Sequence, residues 1–360
     1  MQLRIHDRYL LKQYLRIFFF SVLAFVVIYI TVDVFEEIDN FIDHEAGMRC
    51  IFTYYLYSIP FILTYIIPVS LLLGTVFAMG VMSRRNEITA LVASGISLVR
   101  IAAPIMVTAL LVSIGSAYFN DVVVSKANRK NKDIMKYCIE KNTPPPPGLK
   151  ENFHYLGADG YVYHARTYNH AAMAFYDVVI QQFDVQSLRR RIDARKADWR
   201  EDHWVLVDGV ERVFGENGES VRPFEEMEIP EIMERPEDFG KKEIEQDNMT
   251  FVELSEYIEK VRRSGGDVRR YLVDLYFKLS FPLAGWIFVL IGVSFASGKR
   301  KPSIATGFGV TLLIAFMYYG VLRVGQTLGH NGVIPPLLAA QSGNIIFLGI
   351  GLYSLMRANR

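Results

Sequence analysis

The stretch "SRRNEITALVASGIS", Ser83 to Ser97, separates two strongly apolar segments of the sequence. It begins with two arginines, contains one glutamate, and then carries apolar residues at helical spacing up to Gly95. The segments on either side, 59–82 and 98–119, each have the roughly 20 apolar residues that a helix needs to cross a bilayer. The stretch is too polar to be part of either span. It predicts a short amphipathic helix over 84–97 that joins two membrane-spanning helices.

The composition supports a membrane protein with a water-soluble part. The 360 residues are 51% hydrophobic and 21% charged, which is too apolar for one soluble domain and too charged for a chain buried wholly in lipid. No basic run is interleaved with aromatic residues, so nucleic acid is excluded as a partner. Six spans are predicted, at 18–34, 59–82, 98–119, 279–297, 304–322 and 337–356. The first lacks a small-x-small cleavage site and is therefore read as a retained helix, not a signal peptide.

The orientation follows from the distribution of basic residues, because cytoplasmic loops carry an excess of lysine and arginine. The loop after the first span is acidic, with Arg49 as its one arginine. Both termini and the 83–97 stretch are accordingly predicted to be cytoplasmic, and the segment 121–270 to lie on the other side. The basic residues on which this rests are Arg4, Arg8, Lys12, Arg16, Arg84, Arg85, Arg100, Lys299, Arg300, Lys301, Arg357 and Arg360.

The segment 121–270 is predicted to be the soluble domain. It begins as a polar continuation of the third span, and the run Pro144–Pro147 ends any helix. Short strand-like runs follow, separated by predicted turns at Asp208-Gly209 and Asn217-Gly218, a spacing typical of a β-sandwich or an open barrel. A capping box of Thr250 and Glu253 then begins an amphipathic helix that ends at Gly265.

Known catalytic motifs are missing from the sequence. There is no phosphate-binding G-x-x-x-x-G-K-[ST] loop, no G-x-S-x-G and no H-E-x-x-H, so no ATP, metal or other cofactor is predicted for this chain. The acidic stretch Glu36 to Glu45 is interpreted as a solvated loop, although its carboxylates and His44 also fit a metal or acid–base site. Cys50 and Cys138 have no metal-ligand spacing. They are predicted to be free thiols, with a single bridge as the alternative if both face an oxidising compartment.

The amphipathic stretch has two interpretations on the residues alone. Its apolar positions are Ile88, Leu91, Val92 and Ile96, and Glu87 lies in the first turn, where a helix favours negative charge. Such a helix can lie on lipid headgroups. It can equally dock its apolar face into a groove of a soluble partner, with Glu87 as a directional charge.

Several stretches resemble the LptF/LptG family, the membrane subunits of the lipopolysaccharide-exporting ABC transporter. They extend over nearly the whole chain and favour the G-type over the F-type subunit, without deciding between them. The stretches are "HDRYLLKQYL", "IPVSLLLGTVFAMGVMSRRNE", "RRNEITALVASGIS", "SEYIEKVRRSGGDVRRYLVDLYFKLSFPL" and "GVIPPLLAA".

The resemblance implies six transmembrane helices with an inserted all-β, jellyroll-like periplasmic domain: helices in 1–120, the β domain in 121–270, and helices in 271–360. It implies a non-catalytic inner-membrane permease subunit that works with an LptB-type ATPase dimer, a second permease subunit, and LptC-type and LptA-type jellyroll proteins, and that moves lipopolysaccharide. ATP and Mg²⁺ would be used by the ATPase. The segment 84–97 would be the coupling helix, with Arg84, Arg85, Glu87, Leu91 and Gly95 as its contact residues.

The chain departs from the family at the outer end of the first span. G-type subunits carry basic residues there for the phosphates of the lipid, whereas this chain has Asp33, Glu36, Glu37 and Asp39. The phosphates are then met elsewhere or bridged by divalent cations, or the chain carries a different anionic lipid. The predicted lipid-binding residues are Arg129, Lys132, Arg270, Lys278 and Arg323.

Two other classes of function remain open at this point. One is a multi-span sensor or anchor whose periplasmic β domain binds a ligand. The other is a membrane enzyme built around Asp39, Asp43 and His44. Co-purification with an ATPase would separate the exporter from the sensor, and alanine replacement of Asp39, Asp43 and His44 would test the enzyme.

Overall fold

The computed structural model divides the chain into a helical unit, 1–141 with 269–360, and a second unit, 142–268. The second unit begins 21 residues after the start of the predicted domain at 121, because the helix that prolongs the third span packs with the other helices. The structure describes residues 5–141, 148–157, 160–184, 187–200, 202–215, 218–229, 234–236, 239, 246–263, 266–297 and 303–358.

The helical unit contains long helices, two of which are interrupted: the third span and its continuation by two π-helices, and the fourth span by a 3₁₀ turn. Its elements are α1 (Ile5–Asp43), α2 (Met48–Arg84), α3 (Glu87–Ala93), α4 (Leu98–Phe119), the π-helix Asn120–Val124, α5 (Ser125–Ile134), the π-helix Met135–Ile139, α7 (Arg269–Ser280), the 3₁₀ turn Phe281–Leu283, α8 (Ala284–Ala296), α9 (Ile304–His330) and α10 (Pro336–Ala358). Helix α6 (Phe251–Arg263) belongs to the second unit.

Among the residues that the structure describes, six helices are long and apolar enough to cross a membrane, in agreement with the six predicted spans. Helix α1 has 39 residues. At about 1.5 Å per residue it is roughly twice as long as the ~30 Å hydrocarbon layer is thick. The prediction of an acidic loop over Glu36 to Glu45 is wrong for most of its length, because the helix continues to Asp43 and only His44 and Glu45 follow its end.

The two cysteines form a disulfide, so the prediction of free thiols is wrong. Cys50 lies in the first turn of α2 and Cys138 in the π-helix that follows α5, and their Cα atoms are 5.8 Å apart. The residues are 88 positions apart in sequence, and only the packing of α5 on α2 brings them together.

The second unit is built on a six-stranded antiparallel sheet in the order β1-β2-β3-β4-β5-β6, which confirms the inserted β domain. The strands are β1 (Leu149–Leu156), β2 (Tyr161–Asn169), β3 (Ala174–Asp184), β4 (Ser187–Arg200), β5 (His203–Gly215) and β6 (Gly218–Ile229). Each strand pairs with its neighbours in sequence, so short connections suffice throughout.

A line of interrupted pairing crosses all six strands. One residue in each strand drops out of the described ladder while the register continues on both sides: Asn152, Arg166, Asp177, Arg195, Asp208 and Glu225. Asn152, Asp177 and Asp208 have positive φ, at 48°, 49° and 57°. Breaks in a ladder of this kind let a sheet bend.

The predicted turn at Asp208-Gly209 is wrong, because both residues lie inside β5 at this line. Asp208 does have the backbone conformation of a turn, which is why the dipeptide misleads. A Cβ at Gly209 would collide with the Asp193 carbonyl oxygen and the Phe224 ring, so close packing across the sheet requires glycine there.

The buried face of the sheet surrounds Phe239, whose side chain is fully buried. Six aromatic rings lie 4.7 to 5.8 Å from it, those of Phe153, Tyr155, Tyr163, Tyr168, Phe175 and Trp204. Nearby, the Tyr163 hydroxyl donates to the Glu234 carboxylate at 2.9 Å. Burial and then the Glu234 carboxylate raise the pKa of Tyr163 well above its usual value. These contacts tie the segment after β6 to the sheet.

The helix after the sheet begins as predicted. The Glu253 backbone N–H donates to the Thr250 hydroxyl and the Thr250 N–H donates to the Glu253 carboxylate, a capping box at the start of α6. The prolines at 144–147, the turn residue Asn217, the helix end at Gly265 and the basic residues Arg4, Lys299, Arg300, Lys301 and Arg360 lie outside the described residues.

Candidate functional site

The predicted coupling segment contains a helix of 7 residues, α3, which is shorter than the predicted 84–97. Asn86 precedes it in the left-handed conformation, with φ of 62°, and reverses the chain after α2. After it, Gly95 takes φ of 89° while Ile96 donates to the Leu91 carbonyl at 3.1 Å. Glycine at a helix end allows this turn without strain. Two turns therefore hold α3 between α2 and α4.

The apolar face of α3 packs on the chain itself. Ile88 is 6% exposed and belongs to a cluster with Leu10, Tyr14, Met82, Leu98 and Ile101. Leu91 and Ile96 pack against this cluster, whereas the Val92 side chain is 48% exposed. Most of the apolar face predicted to dock on a partner or on lipid therefore holds α3 against the chain. Among the described residues of α3, Val92 is the large apolar residue that remains exposed.

The charged residues of the segment lie at its start. Arg84 ends α2 and is exposed, as is Arg85. The Arg85 guanidinium lies 3.9 Å from the carboxylate of Glu87, the first residue of α3. Because both side chains are partly exposed and the separation is long, this pair contributes little to stability. The Glu87 carboxylate is therefore held only weakly by Arg85.

A buried ion pair lies beside this segment and was missed at the level of sequence. Asp7, in the first turn of α1, is 1% exposed, and both its carboxylate oxygens accept hydrogen bonds from Arg100 of α4, at 3.3 and 3.1 Å. Arg100 entered the sequence argument only as one of the cytoplasmic basic residues. The signal that was available is an aspartate among basic residues at the start of the first span.

The helix α5 carries two of the predicted lipid-binding residues, Arg129 and Lys132. Hydrogen bonds to α2 fix the chain before this pair, at Asn120, and within it, at Asn131. The Thr64 hydroxyl donates to the Asn120 side chain at 2.8 Å, and the Asn131 amide donates to the Tyr54 carbonyl at 2.9 Å. The π-helices flanking α5 shift the helical register at each end, a feature that is frequent at functional sites.

The other three predicted lipid-binding residues lie on a different part of the unit. Arg270 and Lys278 are on α7 and Arg323 is on α9, and these helices pack together. Arg323 donates to Gln326 at 3.0 Å, and Gln326 donates to Asp274 of α7 at 3.1 Å. His330 also lies 2.8 Å from Asp274. The structure thus links Arg323 to α7 through a polar chain, whereas the α5 pair lies on a helix that packs on α2.

The acidic C-terminal part of α1 makes hydrogen bonds within the helical unit. The Tyr55 hydroxyl donates to the Asp33 carboxylate at 3.0 Å, and Asn40 donates to Glu37 at 3.0 Å. Within the part of the chain that the structure describes, no group of three or more histidine, cysteine or acidic side chains is arranged to hold a metal ion.

Comparisons with known proteins agree with this architecture. A sequence model of the family described as lipopolysaccharide export system permease LptF/LptG matches residues 8–357. The chain is 23% identical over 286 residues to the lipopolysaccharide export system permease protein LptG of Haemophilus influenzae, covering 78% of each chain. It is 22% identical over 319 residues to the LptG protein of Escherichia coli K12, covering 87% of this chain and 85% of the relative.

The family model covers nearly all of the helices and the inserted sheet, including the coupling segment and all five predicted lipid-binding residues. Since this match spans both units and not one isolated motif, the chain belongs to the LptF/LptG family of lipopolysaccharide export system permeases.

Proposed function

We propose that this chain is the G-type permease subunit of an ATP-driven exporter that extracts lipopolysaccharide from the inner membrane and passes it to a periplasmic bridge. The observation that carries the proposal is the coupling segment, a short helix fixed between two spans in a chain of this family. The two relatives named LptG support the G-type assignment.

In this proposal the chain supplies the path and a separate ATPase dimer supplies the energy. The sequence has no phosphate-binding loop, so force must enter from outside. Glu87, Val92 and the exposed Arg84 and Arg85 form the surface offered to that partner. A basic residue of the ATPase would replace Arg85 as the partner of Glu87, at low cost because the Arg85–Glu87 pair is weak.

The proposed orientation has both termini and α3 in the cytoplasm and the β unit in the periplasm. The distribution of basic residues supports it. The Cys50–Cys138 disulfide supports it independently, because disulfides persist in the periplasm and are rare in the cytosol. Both cysteines lie at the ends of α2 and of the α4–α5 helix that are opposite to α3.

The phosphates of the lipid are proposed to bind basic residues, with Arg129 and Lys132 on α5 as the principal pair. The three-residue spacing places both on one face of that helix, and the planar guanidinium of arginine suits phosphate oxygens. Arg270, Lys278 and Arg323 form a second group on α7 and α9. A second permease subunit and LptC-type and LptA-type bridge proteins complete the proposed exporter.

Affinity purification in mild detergent tests the proposal, with co-elution of an ATPase and a second permease subunit as the expected result. Glu87→Arg should abolish transport, because like charges would meet in the ATPase groove, while Glu87→Ala should be mild since an exposed pair contributes less than about 1 kcal/mol. Glu256→Arg, an exposed reversal on α6, is the control. If no ATPase co-elutes, the proposal fails and a sensor role is favoured. If Glu87→Arg transports normally, α3 is only a membrane-surface element.

A further inference from the structure

We propose that the start of α1, residues 5–17, clamps the coupling segment and passes its displacement to the first span, with Asp7 and Arg100 as positioning residues. We call residues 5–17 the N-terminal clamp. This inference rests on the proposed function, which places the ATPase at α3. It adds the route by which movement of α3 reaches the membrane.

The strongest contact of the clamp is the Asp7–Arg100 pair. The Asp7 carboxylate is 1% exposed and accepts two hydrogen bonds from one guanidinium, a bidentate geometry that fixes orientation as well as distance. The His6 ring nitrogen lies 3.0 Å from the same carboxylate. A buried carboxylate is costly unless paired, so separating Asp7 from Arg100 is strongly unfavourable. The two residues must move together.

The clamp also holds the other end of the coupling segment. The Arg85 guanidinium donates to the Tyr9 hydroxyl at 3.3 Å, while it lies 3.9 Å from Glu87. Arg85 and Arg100 therefore bracket α3, and each contacts the clamp within its first two turns. Between them, Leu10 and Tyr14 pack in the same apolar cluster as Ile88 of α3. Residues 5–17 therefore contact the chain on both sides of α3 and share an apolar cluster with its buried face.

The first span is suited to carry this displacement. Helix α1 runs without interruption from Ile5 to Asp43, so a shift of its first turns moves the whole helix. Only 11% of its apolar window is buried in this chain, against 28 to 78% for the other five spans described. Within this chain the span packs chiefly on α2, and most of its remaining surface is exposed. A continuous helix fixed at its first turns can carry their displacement along its length.

The test compares variants of the chain in the purified exporter complex, reconstituted with lipopolysaccharide. The variants are Asp7→Asn, Arg100→Gln and the exchanged pair Asp7→Arg with Arg100→Asp. Arg166→Gln, which removes one member of an exposed ion pair with Asp177 in the β unit, is the control. Three quantities are measured: ATPase co-elution, ATP hydrolysis, and ATP consumed per lipid delivered to an acceptor protein.

We expect both single variants to keep the ATPase and to hydrolyse ATP at near-parental rates. The ATP consumed per lipid should rise about tenfold, as expected when residues that connect two coupled sites are changed. The exchanged pair restores the charge contact and should return the ratio most of the way to the parental value. A merely structural role would lower ATPase co-elution, ATP hydrolysis and lipid delivery together, and would leave the ATP consumed per lipid unchanged.

Three results would overturn the inference: a parental ratio in Asp7→Asn, loss of the ATPase together with transport, or an exchanged pair that accumulates with a ratio still raised. If the charge variants do not accumulate in the membrane, Tyr9→Phe is used to test the inference, because the Tyr9 side chain is 44% exposed and tolerates the change. It should raise the ratio about two- to threefold, and an unchanged ratio would refute the clamp. Failure of the parental chain to bind an ATPase is distinct, and counts against the proposed function instead.

Discussion

Single side chains decide where the helices of this permease are held and where they are free to shift. Asn344 of α10 shows the first case. Its amide donates to the Ser280 carbonyl at 2.9 Å, where α7 gives way to the 3₁₀ turn Phe281–Leu283, and its oxygen accepts from the Tyr318 hydroxyl at 2.7 Å. All three residues are buried. One amide thus joins α7, α9 and α10 at the interruption of a span.

Asn344→Leu should destabilise the helical unit. The change leaves the Tyr318 hydroxyl buried without this partner, at a cost of about 1–3 kcal/mol. We expect a lower midpoint of thermal unfolding in detergent. Ser342→Ala is the matched control, since the Ser342 hydroxyl bonds to the Ala339 carbonyl within its own helix. Equal midpoints for both variants would show that the amide does not hold the interruption.

The basic pair on α5 should act on the substrate and not on assembly. Arg129→Glu with Lys132→Glu should sharply reduce photo-crosslinking of lipopolysaccharide to probes placed on the spanning helices, because two positive charges proposed to bind the lipid phosphates become negative. ATPase co-elution should not change. The same reversal at Arg189 and Arg195, on β4 of the other unit, is the control. Unaltered crosslinking would point to cation-bridged binding at Asp33 and Glu36.

At the scale of elements, the helix that prolongs the third span is tied to α2 along its length. Two hydrogen bonds of 2.8 Å hold it, Thr64–Asn120 just after α4 and Asn131–Ser58 within α5. The disulfide holds its C-terminal end. Lys130 adds a contact with the Tyr57 ring, 5.4 Å from its centroid. Arg129 and Lys132 are therefore presented from a helix with restricted freedom, which favours a defined phosphate position.

The disulfide should be present in the mature protein and should stabilise this helix. Parental protein should react with a maleimide only after reduction, and should migrate faster on a non-reducing gel than the Cys50→Ser variant, since the bridge closes a loop between positions 88 residues apart. The variant should also unfold at a lower temperature. Cys138→Ser serves as the matched control and should behave identically. Two reactive thiols in the parental protein, without reduction, would refute the bridge.

For the whole molecule, the prediction is the orientation of its two units across the membrane. In a Cys50→Ser, Cys138→Ser background, single cysteines at Glu45 and Ser220 should react with an impermeant thiol reagent in intact spheroplasts. Cysteines at Asn86 and Lys301 should react only after the membrane is disrupted. The physical reason is the excess of lysine and arginine on the cytoplasmic side. The reverse labelling pattern would invert the orientation and remove α3 from the ATPase.

Sequence by itself determined the six spans, the inserted β domain and the family, because hydropathy, strand alternation and motif order are local properties that neighbouring residues carry. It also located the short helix between the second and third spans, though with longer bounds than α3 has. Predictions from local sequence were wrong where the same residues are compatible with two kinds of secondary structure. Asp208-Gly209 has turn chemistry but lies within a strand, and the acidic stretch reads as a loop but is helical.

Only the tertiary structure decided which distant residues meet. Cys50 and Cys138 are bridged across 88 positions, and Asp7 finds Arg100 across 93. Neither pair has a spacing that sequence can recognise, because their contact depends on how helices of particular lengths cross. The apolar face of α3 is a similar case. The helical spacing of its apolar residues predicts that this face is buried, but does not identify the residues that bury it. Packing assigned that face to the chain itself, which leaves the Val92 side chain exposed and Glu87 partly exposed.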